Sequence, residues 1–472
     1  MKNILIAIRS IFKKGRHNVM KIVSLGIGLA VGLVLIAKVY FEQSYDDFYP
    51  DRDRVYQVWA KYQQNGGELK DYPQTSGGIA PTMQQQIPEI ETVTRYTSFG
   101  DWTFTMTDTK MKYSGRCIIA DSCFFDILPR PMLIGNAKEV LSTPMYVLIS
   151  SRIAKNIGGD VIGKNFTVDN SPGRTMTIGG VFEEVPENSH SRYDVIVSMA
   201  SAGRFMWEGS PTNMLGNDRY ISYVKLHKGV NPLALEEQVR TFVNSYFPPE
   251  EQQKVGLSID FSFHKLDNLH KELPQVKRMT WILSLLAFAL IFTAVMNYIL
   301  IVISSIVNRS KEVAVHKCYG ASENNIHGMM FGEALVHIVL SLILALLLIL
   351  AFRGTVEELL ATSLDSLLLS NGSLVLLGIC ILVFFVSGFM PGSLYARIPV
   401  ASAFRNYREN KRIWKKALLL VQFVATGFLV TMLVFVARQY TFMVNDRPGY
   451  AYENLAYCGL AGVDSTSRAK IL

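Results

Sequence analysis

The stretch Met279–Asn308, MTWILSLLAFALIFTAVMNYILIVISSIVN, contains no charged residue. About 20 apolar residues in a helix cross the hydrocarbon core of a bilayer, so this run spans it with residues to spare. The same reading extends outward along the chain. Ile22–Ala37 is uncharged, and Val39-Tyr40-Phe41 carries the run past Lys38, whose aliphatic stem lets its ammonium snorkel to the interface. Ala334–Phe352 contains only His337, while Leu374–Leu394 and Ala417–Ala437 carry no charge. These runs predict spans over residues 22–41, 279–308, 334–352, 374–394 and 417–437. The fold class that follows is a polytopic α-helical membrane protein. A cleaved signal would also begin with an apolar run, but the basic leader Met1–Lys21 is long and no small-x-small site follows Ala37. The first run reads as a retained anchor.

Composition agrees. Of 472 residues, 49% are hydrophobic and 18% charged, and the mean hydropathy is +0.21. An ordinary soluble domain carries about 25% charged residues. The shortfall excludes a disordered chain, and five cysteines exclude a disulfide scaffold. The net charge of +8 could suggest a nucleic-acid ligand, but its placement decides otherwise. Lys2, Arg9, Lys13, Lys14, Arg16 and Lys21 precede the first span, and Arg309, Lys311 and Lys317 follow the second. Arg397, Arg405, Arg408, Lys411, Arg412, Lys415 and Lys416 lie in 395–416, between the fourth and fifth spans. The loop Arg353–Ser373 instead carries Glu357, Glu358 and Asp365 against one arginine. Basic loops stay on the cytoplasmic side, so the N-terminus is expected inside and residues 42–278 outside. The basic clusters are topology signals, and no nucleic-acid partner is expected.

Residues 42–278 are enough for a domain of their own. Leu257, Ile259, Phe261 and Phe263 alternate strictly, and Thr175–Phe182 and Tyr220–Leu226 also predict strands. Pro81–Ile87 predicts a short helix ended by Pro88, and Leu233–Phe247 a longer one. The expected product is a large extracytoplasmic α+β domain. Cys117 and Cys123 can pair there in an oxidising compartment, but two buried thiols are the preferred reading. Gly158-Gly159-Asp160-Val161-Ile162-Gly163-Lys164-Asn165 matches a Walker A loop up to its last position. That position needs a hydroxyl for magnesium, which Asn165 lacks, so the segment reads as a turn between a helix and a strand. His264 and His270 read as surface or core residues. With no H-E-x-x-H, no G-x-S-x-G and no cysteine–histidine cluster of metal spacing, neither a catalytic residue nor a metal site is expected.

After the second span comes Asn308-Arg309-Ser310-Lys311-Glu312-Val313-Ala314-Val315-His316-Lys317-Cys318-Tyr319-Gly320-Ala321-Ser322. It resembles the R-x-x-E-I-x-I-R-K-x-x-G-A-S signature of FtsX-like, MacB-like ABC transporter permeases, with a departure at His316. Ile119-Ala120-Asp121-Ser122-Cys123-Phe124-Phe125-Asp126 and Gly180-Val181-Phe182-Glu183-Glu184-Val185-Pro186-Glu187-Asn188-Ser189-His190 look like parts of the MacB-type periplasmic core domain. So does Tyr45-Asp46-Asp47-Phe48-Tyr49-Pro50. The resemblance covers nearly the whole chain. It implies a bacterial inner-membrane permease whose partner is a separate cytoplasmic ABC ATPase. ATP and magnesium are then bound by that partner, and no cofactor by this chain. Membrane lipids, and a second permease or a periplasmic or outer-membrane component, are further implied partners. The permease turns ATPase dimerisation into movement of its periplasmic domain, an action called mechanotransmission. About 30 residues of helix would extend roughly 45 Å, so the second span is long enough to project as a stalk, unless tilt absorbs the excess.

On this resemblance residues 309–333 are the coupling segment, with Arg309, Glu312, Lys317, Gly320, Ala321, Ser322, Ile326, Met329, Met330 and Glu333 as its site residues. Gly320 can end the stalk helix and Ser322 can cap a new, short one, with Glu323 in its first turn. Ile326, Met329 and Met330 fall on one face, read as the surface that docks on the ATPase. Met330→Asp is then expected to abolish docking, and Glu312→Ala to weaken it modestly. A weak repeat relates Ile4–Asp47 to Ala403–Asn445, which makes residues 438–472 the expected start of a second periplasmic domain and the chain a piece of a longer permease. The competing class is a membrane-anchored sensor or adaptor with a ligand-binding outer domain and no ATPase. It accounts for the anchor and the outer domain but not for the charged turn at Arg309–Ser322.

Overall fold

The computed structural model describes residues 17–168, 171–216, 218–369, 372–396, 399–400 and 413–445. Of the segments expected from sequence, the leader 1–21, the basic stretch 395–416 and the start of a second outer domain at 438–472 lie largely outside these residues. The chain divides into a helical unit, which runs to Gln43 and resumes at Pro274, and a sheet-containing unit over Ser44–Leu273.

The helical unit contains α1 (Asn18–Gln43), α2 (Pro274–Ser304), α3 (Ile306–Cys318), α4 (Glu323–Ala351), α5 (Ser373–Ala396) and α6 (Ile413–Asn445). Five of these, all but α3, are long and apolar enough to cross a membrane. α1, α5 and α6 extend past their uncharged runs at both ends. α2 starts early at Pro274 but ends at Ser304, short of Asn308. A turn at Ser305 separates it from α3, so the run expected as one stalk is two helices. The third differs most. The sequence suggests a short helix and then a span from Ala334, but α4 runs unbroken from Glu323, since no proline interrupts it. Nor does Lys38 snorkel. It is buried, 2.7 Å from Glu42 one turn on and 2.8 Å from the Thr362 hydroxyl.

Lipid offers no hydrophobic drive for helices to associate, so close backbone approach must supply the packing. Gly28 and Gly32 of α1 allow it. A Cβ on Gly28 would land on the Ala294 side chain of α2, and one on Gly32 on Ile291. A Cβ on Gly26 would meet Leu344 of α4 at 2.9 Å. Leu25, Leu29, Tyr298, Ile299, Ile303, Ile338 and Ala345 fill the resulting core. In contrast α6 is exposed along its apolar length and is tied to α2 by a hydrogen bond from Gln422 to Asn297.

The second unit is built on one mixed sheet. Its strands are β1 (Val55–Gln64), β2 (Lys70–Tyr72), β3 (Ile90–Met106), β4 (Lys112–Ala120), β5 (Met132–Ile134) and β6 (Tyr146–Ser150). They continue with β7 (Asn165–Val168), β8 (Ser171–Phe182), β9 (Val195–Ser198), β10 (Ile221–Leu226) and β11 (Leu257–Lys265). The order is β11-β1-β10-β3-β4-β9-β6-β8-β5, with β2 on β1 and β7 on β3 and β8. The pairs β4–β9 and β6–β8 are parallel and the others antiparallel. Alternation along β11 does what the sequence suggests. Ile259 and Phe261 face a core shared with Val58, Ala60 and the helix Glu236–Tyr246, whose Val239, Phe242 and Val243 are buried. Burying a side chain of this size contributes about 1.5–3 kcal/mol. The Walker-like segment is a turn between the helix Ser151–Ile157 and β7, with Gly158, Gly159 and Gly163 at positive φ. Cys117 and Cys123 are both free. Cys117 is buried as expected, but Cys123 is only half-buried, its thiol 3.1 Å from the Val93 carbonyl.

Candidate functional site

The turn between α3 and α4 is set by local chemistry. Gly320 has φ +84°, the left-handed conformation that costs a residue without Cβ nothing. Its amide donates to the Lys317 carbonyl at 3.0 Å, and the Ala321 amide donates to His316 at 3.0 Å. These two bonds close α3 as a Schellman motif. Ser322 follows in extended conformation and its hydroxyl accepts from the Asn325 amide at 3.4 Å, capping α4, with Glu323 favourable in the first turn. The tip is wet. Tyr319 is 89% exposed, Val315 43%, and Gly320, Ser322 and Glu323 are exposed.

The expected site residues separate into two groups. Gly320, Ala321 and Ser322 form the turn, and Glu312 and Lys317 lie half-buried on α3 beside it. The Arg309 side chain lies outside the described residues. Ile326, Met330 and Glu333 point the other way. Ile326 and Met330 are buried with Val302, Ile303, Val313, Ala314 and Tyr395, and Met329 is partly buried against the same cluster. The stripe read as a docking surface is therefore part of the bundle's own core. The cause is the continuity of α4, whose first turns pack against α5. There Gly392 lies so close that a Cβ would sit 2.8 Å from the His327 ring and 3.7 Å from Met330. Glu333 is also interior, 3.9 Å from the buried Lys21 of α1, which bonds Asn18 at 3.2 Å. One turn on, His337 meets the Tyr298 hydroxyl at 3.2 Å, and one turn further the Ser341 hydroxyl donates to the Ile22 carbonyl at 3.1 Å. Glu333, His337 and Ser341 thus form a polar stripe facing α1 and α2. Tyr319, the most exposed side chain at the turn, was not among the expected residues. An aromatic next to a helix-ending glycine was the available signal.

The sheet unit holds a second cluster that sequence reasoning left unassembled. Asp46, just beyond α1, has φ +61°, a conformation that aspartate tolerates when its carboxylate bonds locally. Its amide donates to the Asn188 carbonyl at 2.9 Å. Its carboxylate accepts from the Ser189 hydroxyl at 3.1 Å, from the His190 amide at 3.3 Å and from His190 Nδ1 at 2.7 Å. His190 Nε2 then reaches the Tyr223 hydroxyl of β10 and, at 3.0 Å, Ser191 Oγ. Burial pushes the Tyr96 phenol up to about 12 and that of Tyr223 well above its ordinary value, so both remain hydrogen-bond donors. Asp46, His190 and Ser191 have the spacing of a hydrolytic triad. Ser191 is nonetheless 3% exposed and its hydroxyl is committed to Tyr96 at 2.7 Å, so it is no accessible nucleophile. Two segments noted for their family resemblance, Tyr45–Pro50 and Gly180–His190, are what this network joins.

Comparison with known proteins agrees with the two units. Residues 20–242 match the model of the MacB-like periplasmic core domain, and residues 284–400 that of the FtsX-like permease C-terminal region. A domain of a putative permease from Porphyromonas gingivalis is 33% identical, with 46% of this chain and 91% of that one covered and a TM-score of 0.43. The periplasmic region of MacB from Actinobacillus actinomycetemcomitans is 15% identical, with 46% and 91% covered and a TM-score of 0.31. The extracellular domain of the noncanonic ABC-type transporter YknZ from Gram-positive bacteria is 11% identical, with 43% and 98% covered and a TM-score of 0.31. No curated protein matches the chain. With both family models matched in order, one over the first membrane helix and sheet unit and the other over the helices that follow, the chain belongs to the FtsX-like, MacB-like ABC transporter permeases.

Proposed function

We propose that this chain is the permease subunit of a bacterial inner-membrane ABC transporter, and that it passes ATP-driven movement of a separate cytoplasmic ATPase to its periplasmic domain. The observation that carries the reading is the α3–α4 turn, closed by the Gly320 and Ala321 amides, which presents Tyr319 to solvent next to the exposed Val315 of α3. Apolar side chains held at the tip of a fixed turn are costly in water and suit a protein groove. The charge asymmetry of the loops supports a cytoplasmic position for this turn, where ATP is available. ATP and magnesium belong to the partner in this reading, and the family in general works with such an ATPase. The chain's own part is mechanical. Exported cargo and regulated envelope process are both compatible with that part, and the sensor reading leaves the turn without a purpose.

Purification in mild detergent tests the proposal. Wild-type protein should bring down an ABC ATPase, and Tyr319→Asp should lose at least nine-tenths of it while reaching the membrane in normal amount. Equal recovery with the variant would show that the turn is not the docking element.

A further inference from the structure

We propose that His190 is a positioning residue for transmission: it fastens the chain leaving α1 to the sheet, so that displacement of the helix is passed on rather than absorbed. The inference rests on the proposed mechanical function and adds the part that makes it work. A pushed helix moves a domain only if the joint between them is stiff. Ser44 is the first residue after α1. It is held at once, by Asn188 Nδ2 donating to its carbonyl at 2.7 Å and to its hydroxyl at 3.2 Å. Asp46 is held next, by its amide bond to the Asn188 carbonyl and by the bonds from Ser189 and His190 described above.

Histidine suits the position because its two ring nitrogens point in different directions. With the proton on Nδ1 donated to the buried Asp46 carboxylate, Nε2 accepts from the Tyr223 hydroxyl. One ring thus bridges the exit segment and the middle of the sheet. Tyr223 lies on β10 and Tyr96 on the adjacent β3, paired through Ser222 and Arg95, and the Tyr96 hydroxyl bonds Ser191. The segment that leads back toward α2 meets the same place. Tyr45 stacks on His270 with ring centres 3.4 Å apart, and Asp47 lies 3.3 Å from the Lys271 ammonium. Ser44–Asp47 and His270–Lys271 thus meet within the sheet unit, the Asp46 contacts buried and the Asp47–Lys271 pair partly exposed. A buried network with all its members bonded is rigid, and loss of one member leaves the others short of partners.

The test uses the full chain with its co-purified ATPase in lipid nanodiscs. A donor dye is placed on Leu233→Cys, which is 71% exposed, with Cys318 and Cys458 replaced by serine. The acceptor dye is on lipid headgroups. ATP hydrolysis and the ATP-dependent change in energy transfer are read together. His190→Ala should leave hydrolysis within twofold of wild type and cut the change in transfer at least fivefold. His190→Asn, which keeps a donor to Asp46, should recover part of it, a rescue that loss of general packing would not give. Should the alanine variant fail to accumulate, Tyr223→Phe removes only the sheet-side hydroxyl and should cut the change at least twofold. An undiminished change in these variants would overturn the role of His190 while leaving the mechanical function standing. Wild-type hydrolysis with no change in transfer would overturn both.

Discussion

The α3–α4 turn and the network around Asp46 use the same short polar residues, and water treats them oppositely. At the turn, Ser322 and Gly320 satisfy helix ends and leave Tyr319 in solvent. Around Asp46 the serines and the tyrosines are buried, and the bonds run between segments far apart in the chain. Local chemistry is enough to shape an exposed turn. The Asp46 network is built instead from nonlocal bonds in a buried site, where each is electrostatically stronger.

The contrast can be broken most sharply at Met330, one short helix turn beyond Ile326 and on the dry side. Met330→Asp would bury an unpaired charge, which costs about 3–5 kcal/mol. We expect the helical unit to lose thermal stability and membrane abundance, read by gel filtration of detergent extracts at rising temperature. A variant of normal stability that fails only to bind an ATPase would return Met330 to the wet side. Gly28→Val tests the dry packing without charge. Overpacking against Ala294 should cost about 1–3 kcal/mol, visible in the same assay as a smaller downward shift. Tyr319→Ala sharpens the wet side. Stability should change by no more than about 0.5 kcal/mol, because nothing of the fold leans on the ring. ATPase recovery should still fall, by roughly tenfold or more if Tyr319 is a hot spot.

The smallest effect concerns pH. Burial works to raise the Asp267 carboxyl, but hydrogen bonding and charge from Lys271, with Arg52 nearby, hold it below its ordinary value. A carboxyl lowered in the folded state adds stability above its unfolded pKa, and that stability is lost as pH falls through the folded value. Acidification from pH 7 to pH 3 should therefore lower the melting temperature, and Asp267→Asn should make the drop slightly smaller. An identical drop in both proteins would mean that the Asp267–Lys271 pair contributes nothing.

What could be read in the sequence follows the same division. Spans are legible because a bilayer imposes length and apolarity on consecutive residues. Gly320 and Ser322 are legible because their roles depend on neighbours within a turn of helix. The Ile326–Met330 stripe was legible as a stripe and misread as to what covers it. The pattern is the same whether the cover is a partner or α5 with Gly392 and Tyr395. Asp46 and His190 lie 144 positions apart, and nothing in two short polar segments announces that they meet. The sheet order was hidden for the same reason, since β1 pairs with β10 and β11 near the far end of the domain.

The bond between Lys38 and Thr362 also bears on how the protein is made. Its partners are 324 positions apart, which at synthesis speeds of about 5–20 residues per second separates their emergence by roughly 15–65 s. During that interval Lys38 has no access to Thr362. Glu42, only a turn away, can accompany Lys38 from the start and neutralise it. Thr362 arrives afterwards and completes the site once the loop beyond α4 has formed. The ion pair is thus supplied by α1 alone, whereas the Thr362 bond needs the loop beyond α4.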